Sequence, residues 1–220
     1  MPRSPAAAPH AAEIVAAARE LDALGFMPTK SGNLSCRTAR GFLITPSGLP
    51  YAETAPEDLV EVAVDGSVLG WSRRRPSSEW RLHAAIYAAQ PEAGAVVHTH
   101  SPFATALSCA REGIPPLHYM VALGGGTGIR CTAYATFGTA ALAEAAVAAL
   151  SGGHRAALLA NHGVVAFGAA LAGAKALAME VENLARQYLA LRAAGLAPVL
   201  LTEAEMGEVF AGFAEYGKGG

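Results

Sequence analysis

Residues 156–167 read AALLANHGVVAF, two short apolar runs separated by a polar turn. The runs 156–159 and 164–167 are each typical of a buried strand. The uncharged stretch continues to Ala174, a length that could just span a bilayer. Because it contains Asn161, His162 and three glycines, we interpret it as a buried strand, a turn and the start of a helix.

Segments before and after this stretch also show patterns that are typical of strands and helices. Residues 95–100 predict a strand, residues 34–37 and 42–44 predict a hairpin, and Asp65-Gly66 predicts a second hairpin between 60–64 and 68–71. Helices are predicted over 10–24, 78–89, 102–110, 139–150, 171–194 and 202–213, the second with Ser77 or Ser78 as its N-cap. We therefore expect an α/β fold, one domain over residues 1–220 with a central, mainly antiparallel sheet flanked by helices.

Composition excludes several classes of protein. Sixteen Lys and Arg residues nearly balance 18 Asp and Glu residues, giving a net charge of −2, so nothing indicates binding to nucleic acid or to an anionic membrane. Hydrophobic residues make up 52% of the chain, which suits one sizeable core. Three widely spaced cysteines without a C-x-x-C pattern argue against a disulfide scaffold, and the N-terminus does not resemble a signal peptide. We expect a cytoplasmic protein.

Two histidines stand two residues apart in the predicted strand 95–100. In AVVHTH, the side chains of His98 and His100 leave the same face of the strand and can converge on one ion. Imidazole nitrogens suit a divalent metal such as zinc. The alternative is two surface histidines at a strand end.

Two further residues are candidates for the same ion. His162 lies in an apolar turn where a buried imidazole needs a partner, although a histidine that only hydrogen bonds within the turn is the alternative. Glu79 could be a fourth ligand, or only a carboxylate that favours the first turn of its helix. His83 shares that helix face and is expected beside the site or in the core rather than as a ligand.

Three loops of small polar residues could bind a phosphate group. They are Ser31-Gly32-Asn33, Thr45-Pro46-Ser47-Gly48 and Ser77-Ser78, the last at a predicted helix N-terminus, where anions are favoured. Together the three loops could surround one phosphate, whereas each of them alone is more often an ordinary turn.

Ordered motifs along nearly the whole chain resemble the class II aldolase/adducin superfamily, and most closely its bacterial members that cleave L-fuculose 1-phosphate. The motifs are GNLSCR, LITPSGLPY, PSSEWRLH, VVHTH, IPPLHYM, AYATFGT, NHG and FAEYG. The resemblance implies a three-layer fold and a zinc-dependent aldolase with one Zn²⁺ per subunit. It also implies reversible cleavage of a ketose 1-phosphate, through a metal-stabilised enediolate, to dihydroxyacetone phosphate and an aldehyde such as L-lactaldehyde.

The resemblance also assigns roles to individual residues. It implies metal ligation by Glu79, His98, His100 and His162, and phosphate binding by Gly32, Asn33, Ser47, Gly48, Ser77 and Ser78. Glu79 would also transfer a proton. Tyr119, from an adjacent subunit of a homotetramer, would protonate the aldehyde oxygen, and Tyr216 would help to hold the aldehyde.

Two alternatives remain open at this point. One is a related enzyme of the superfamily, an epimerase of the ribulose 5-phosphate 4-epimerase type or a decarboxylase of phosphorylated oxo-acids. The other is a non-catalytic, adducin-like module, which the presence of three histidines and Glu79 disfavours.

Overall fold

The computed structural model describes residues 7–215, which form seven strands and six α-helices. The strands are β1 (Asn33–Thr38), β2 (Gly41–Ile44), β3 (Val60–Val62), β4 (Ala95–Thr99), β5 (Arg130–Cys131), β6 (Ala156–Leu159) and β7 (Gly163–Gly168). They make one sheet in the order β3-β2-β1-β4-β7-β6-β5. The pair β5 and β6 is parallel and the other neighbouring pairs are antiparallel, which confirms the predicted sheet.

Helices cover both faces of this sheet. They are α1 (Ala7–Ala23), α2 (Trp80–Ala89), α3 (Pro102–Cys109), α4 (Ala140–Ala149), α5 (Leu171–Ala193) and α6 (Glu203–Glu215). Helices α1, α3 and α5 pack on one face, and α2 and α4 pack on the other. In β7, Val164 faces the first layer and Val165 the second. The central strands are apolar on both faces because both faces are buried.

The hairpin β6–β7 is where the fold brings distant segments together. Its turn follows Leu159, which pairs with Gly163, and contains Asn161 in the left-handed region at φ 54°. Strand β4 pairs with β7 so that His98 lies opposite Val165, and with β1 so that His98 lies opposite Asn33. The turn therefore lies beside the end of β4, where the two histidines are.

A buried carboxylate fixes the chain just after β4. Glu182 in α5 accepts hydrogen bonds from the backbone N–H groups of Phe103 and Ala104, at 2.9 and 2.7 Å. These are among the N–H groups that the first turn of α3 cannot satisfy internally. The start of α3, two residues beyond His100, is thereby tied to the helix that covers β4 and β7.

Two local predictions need correction. Residues 68–71 do not form a strand: Val68 makes one bridge to Val62, and Trp71 is 75% exposed. The Asp65 turn is present, but the chain then leaves the sheet because the buried Asp58 binds the two arginines that follow, Arg73 and Arg74. Helix α2 begins at Trp80, with Glu79 rather than a serine at the N-cap position.

The apolar stretch 156–174 forms β6, β7 and the start of α5, as predicted. No helix within residues 7–215 has both the length and the hydropathy needed to cross a bilayer.

Candidate metal centre

Four potential metal ligands meet at the end of β4. One ligand atom from each of Glu79, His98, His100 and His162 lies within 4.8 Å of all the others. The His98 Nε2 atom is 3.0 Å from His100 Nε2 and 3.1 Å from Glu79 Oε2, and Glu79 Oε1 is 3.3 Å from His162 Nε2. A tetrahedral ion with bonds of about 2.0–2.1 Å separates its ligands by roughly 3.3 Å, so the four residues fit such an ion.

Hydrogen bonds orient two of these side chains. His98 Nδ1 lies 2.9 Å from the Val164 carbonyl oxygen, so Nδ1 carries a hydrogen, and Nε2 faces the site as the atom that can bind a metal once it is deprotonated. Glu79 Oε2 accepts a hydrogen bond from Asn33 Nδ2 at 3.0 Å, whereas Glu79 Oε1 is buried and accepts none. A buried carboxylate oxygen without a partner is costly unless a cation binds it.

Charges in the site also favour a cation. Burial alone would raise the pKa of the Glu79 carboxyl, but His98, His162 and Asn33 outweigh it and hold that pKa well below its usual range. Burial would lower the pKa of His98, yet the Glu79 carboxylate raises it above the usual value. Burial lowers the pKa of His100 to about 3 and that of His162 to about 4. Near neutral pH the site therefore offers a carboxylate and two neutral imidazoles.

A glycine that the sequence analysis did not single out lets the ligands converge. A Cβ at Gly163 would lie 2.4 Å from the Thr99 carbonyl oxygen and 3.3–3.4 Å from the rings of His98 and His100. The missing side chain allows the β6–β7 turn, and with it His162, to approach the end of β4. In the sequence analysis, Gly163 counted only as the last residue of the motif NHG.

The three polar loops predicted to bind phosphate lie together beside the ligands. All six predicted phosphate-binding residues line one open cleft with Glu79, His100 and His162. The second and third loops are paired, because Ser47 N–H donates to the Arg75 carbonyl and Ser77 N–H donates to the Thr45 carbonyl. In the first loop, Gly32 has φ 77° and approaches the His98 carbonyl so closely that a Cβ would lie 2.7 Å from it.

Other residues of the cleft were not predicted. Lys30 places a cation beside the polar loops, and Tyr134, Ala135, Phe137 and Asn161 complete the lining. Tyr134 and Phe137 belong to the motif AYATFGT, which contributed to the family resemblance but received no role. Their side chains are 55% and 66% exposed.

Of the two predicted tyrosines, Tyr119 lies outside this cleft. Tyr119 is 47% exposed, stacks on His118 and packs near Phe213 of α6, and it is not part of the cleft lining. Tyr216 lies outside the described residues.

Comparisons with known proteins agree with this geometry. The family model described as "Class II Aldolase and Adducin N-terminal domain" matches residues 12–189. A Rhodospirillum rubrum protein named 5-methylthioribulose-1-phosphate/5-deoxyribulose-1-phosphate aldolase is 49% identical over 93% of this chain and 90% of its own. An Escherichia coli L-fuculose phosphate aldolase is 40% identical over 94% of this chain and 95% of its own. A solved structure of L-fuculose 1-phosphate aldolase superposes with a TM-score of 0.87, at 35% identity over 93% and 95% of the two chains.

The substitution Gly163→Ala is expected to weaken Zn²⁺ binding at least about tenfold, because the added methyl group forces the β6–β7 turn away from His98 and His100. Competition with a chromophoric chelator measures the affinity, and circular dichroism verifies folding. The control Gly173→Ala, in α5 with no atom within 4 Å of the new methyl group, should keep the wild-type affinity. Unchanged affinity in a folded Gly163→Ala protein would contradict this steric account.

Binding of Zn²⁺ is expected to release a proton in a pH-dependent way. The pKa of His98 is raised, so this ring is protonated at about pH 6 and must lose its proton before Nε2 can bind a metal. About one proton should be released per ion at that pH, and fewer as the pH rises through the raised pKa. Titration calorimetry in buffers of different ionisation enthalpy measures this number. If the number of protons released per ion does not decrease with rising pH, His98 is not the group that loses the proton.

Proposed function

Because the chain belongs to the class II aldolase and adducin N-terminal domain family, we propose that it is a zinc-dependent aldolase that cleaves a ketose 1-phosphate. The products are dihydroxyacetone phosphate and an aldehyde. The observation that carries this proposal is the buried Glu79 Oε1, which accepts no hydrogen bond and lies among three imidazoles next to a cleft lined by polar loops. Such an arrangement combines a metal site, a proton acceptor and an anion site.

Cleavage requires one bond to break and two protons to move. The hydroxyl on C4 loses its proton, the C3–C4 bond breaks, and C3 of the departing dihydroxyacetone phosphate gains a proton. When bound, Zn²⁺ supplies a Lewis acid that stabilises the negative charge developing on the ketose oxygens. In cleavage Glu79 gives C3 a proton from Oε1, and in the reverse reaction it takes that proton back. Oε1 would leave the metal for this step, whereas Oε2 stays bound to Asn33.

Phosphate binding is assigned to the three polar loops. The backbone N–H groups of Ser47 and Ser77 are used in the pairing of the loops, so their hydroxyls remain for the substrate. The amide of Asn33 and the hydroxyl of Ser78 add donors, and Lys30 adds a positive charge. Binding energy from the phosphate then orients the ketose over the metal and Glu79.

Within this class, we assign a ketopentose 1-phosphate with an apolar C5 group as the preferred substrate. The 49% identical relative is named for 5-methylthioribulose 1-phosphate and 5-deoxyribulose 1-phosphate. The exposed rings of Tyr134 and Phe137 at the cleft offer apolar surface that a methyl or methylthio group can cover. L-fuculose 1-phosphate, which the sequence resemblance implied, is the second candidate because relatives at 40% identity carry that name.

Transfer of the C4 hydroxyl proton is assigned to Tyr119 of a neighbouring subunit in a homotetramer, which accepts this proton in cleavage and returns it to the aldehyde oxygen in the reverse reaction. Two observations support this role: Tyr119 is half exposed on the surface, and the cleft of its own chain does not include it. If Tyr119 takes part in the reaction, it must therefore reach the cleft of another copy of the chain.

The reaction is tested by supplying purified, zinc-loaded protein with 5-methylthioribulose, 5-deoxyribulose and L-fuculose 1-phosphates and measuring dihydroxyacetone phosphate. We expect release from all three, with the highest kcat/KM for the first two. Glu79→Gln should lower kcat about 100-fold or more, because it removes the group that exchanges the proton at C3, whereas Glu92→Gln on the exposed surface should not change it. Epimerisation or carbon dioxide release without the triose would contradict the aldolase, and a preference for L-fuculose 1-phosphate would contradict only the substrate.

The tetramer is tested by sedimentation velocity and by subunit complementation. Inactive Glu79→Gln and Tyr119→Phe chains, unfolded and refolded together in equal amounts, should recover activity at about a quarter of their sites, those with both native residues. Recovery is expected only if the two residues of one site come from different chains. Absence of recovery, or a fully active monomer, would contradict the role of Tyr119 across the interface.

A further inference from the structure

A line of buried polar side chains runs from Glu79 away from the cleft into the layer between the sheet and α2. Asn33 Nδ2 lies 3.0 Å from Glu79 Oε2, and Asn33 Oδ1 lies 2.5 Å from His83 Nε2. On the other side of the imidazole, His83 Nδ1 lies 2.6 Å from Ser35 Oγ, which is 2.8 Å from the Tyr87 hydroxyl. His83 and Ser35 are fully buried. The proposed reaction uses only the first two members of this line.

The donors and acceptors of this line have one consistent arrangement. An ionised Glu79 carboxylate only accepts hydrogen bonds, so Asn33 must present its NH₂ group to it and its carbonyl oxygen to His83. The carbonyl oxygen also only accepts, so His83 Nε2 carries a hydrogen. Burial lowers the pKa of His83 to about 3, and the neutral ring therefore accepts at Nδ1 from the Ser35 hydroxyl. Every donor in the line then points towards Glu79.

We propose that His83 is a positioning residue, whose Nε2–H holds the Asn33 carboxamide so that its NH₂ group binds Glu79 Oε2 and leaves Oε1 free. The role of Oε1 in proton transfer rests on the proposed function, whereas the orientation of Asn33 does not. His83 touches neither the substrate nor the metal. It acts through Asn33, which lines the cleft and also contacts the carboxylate.

The alternative orientation of Asn33 shows why the imidazole matters. The two ends of a carboxamide are nearly equal in size, so packing alone does not distinguish them. If the amide turned over, its carbonyl oxygen would face Glu79 Oε2, and two acceptors would stand 3.0 Å apart in a buried site. Glu79 would then move, and the NH₂ group would no longer be available to the cleft. The hydrogen on His83 Nε2 makes this orientation unfavourable.

The tautomer of His83 provides a test without substrate or metal. Nitrogen-15 and proton NMR spectra of the metal-free wild-type protein, with the ring assigned by its absence in His83→Gln, report which nitrogen is protonated. We expect the Nε2–H form with a slowly exchanging ring proton. A ring protonated at Nδ1, or at both nitrogens, would overturn the proposal.

Two amide substitutions at position 83 separate the hydrogen bond from packing. In His83→Gln the side-chain nitrogen reaches the place of Nε2 and can still donate to Asn33, whereas in His83→Asn the shorter side chain reaches only the place of Nδ1. We expect His83→Asn to lower kcat about 10- to 100-fold and weaken Zn²⁺ binding about tenfold, with KM changing less than about threefold. For His83→Gln, we expect kcat, KM and the affinity for Zn²⁺ each to stay within about threefold of the wild-type value.

The outcomes distinguish this inference from the proposed function. If the wild-type protein releases no dihydroxyacetone phosphate, the proposed function fails, and the tautomer and the Zn²⁺ affinities of the two variants still decide the role of His83. If the wild type is active but both variants lose activity equally, or neither does, the positioning role of His83 is wrong and the aldolase proposal stands.

Discussion

The structure depends on one buried carboxylate held among three imidazoles. Glu79 is 6% exposed and stays ionised only because His98, His162 and Asn33 offset the cost of its burial. Each of these partners comes from a different part of the chain: a sheet strand, the β6–β7 turn and the start of β1. The strand order that places β4 between β1 and β7 is therefore a requirement of the site as well as of the fold.

Two glycines let backbone segments near the middle of the sheet approach each other closely enough to form this site. Gly163 lets the β6–β7 turn come against the Thr99 carbonyl, and Gly32 lets the first polar loop come against the His98 carbonyl. The site also keeps one oxygen, Glu79 Oε1, without a hydrogen bond. An unsatisfied buried acceptor lowers stability, and a bound cation would recover that free energy. A bound cation would thus link the stability of the fold to the occupancy of this site.

The cleft is lined by residues of two chemical kinds. Serine hydroxyls, the Asn33 amide and Lys30 suit the phosphate that the proposed ketose 1-phosphates share. Tyr134 and Phe137 add aromatic surface, which suits the part of the sugar that differs between these substrates. Under the proposed function, Tyr134 and Phe137 are the residues to vary when relatives named for different sugars are compared.

Local sequence patterns predicted most strands and helices and the pairing of His98 with His100, because alternate residues of a strand share a face. The prediction for residues 68–71 was wrong, because Arg73 and Arg74, which follow this segment, bind Asp58 and draw the chain away from the sheet. Patterns within short segments left open whether Glu79 and His162 join the two histidines, although the family resemblance implied it, and the three-dimensional fold brings them together. The contacts that come only from the fold are those of Asn33 with Glu79 and His83, and the close approach that Gly163 permits. These features depend on which strands pair and which loops approach each other, and no short window of sequence contains that information.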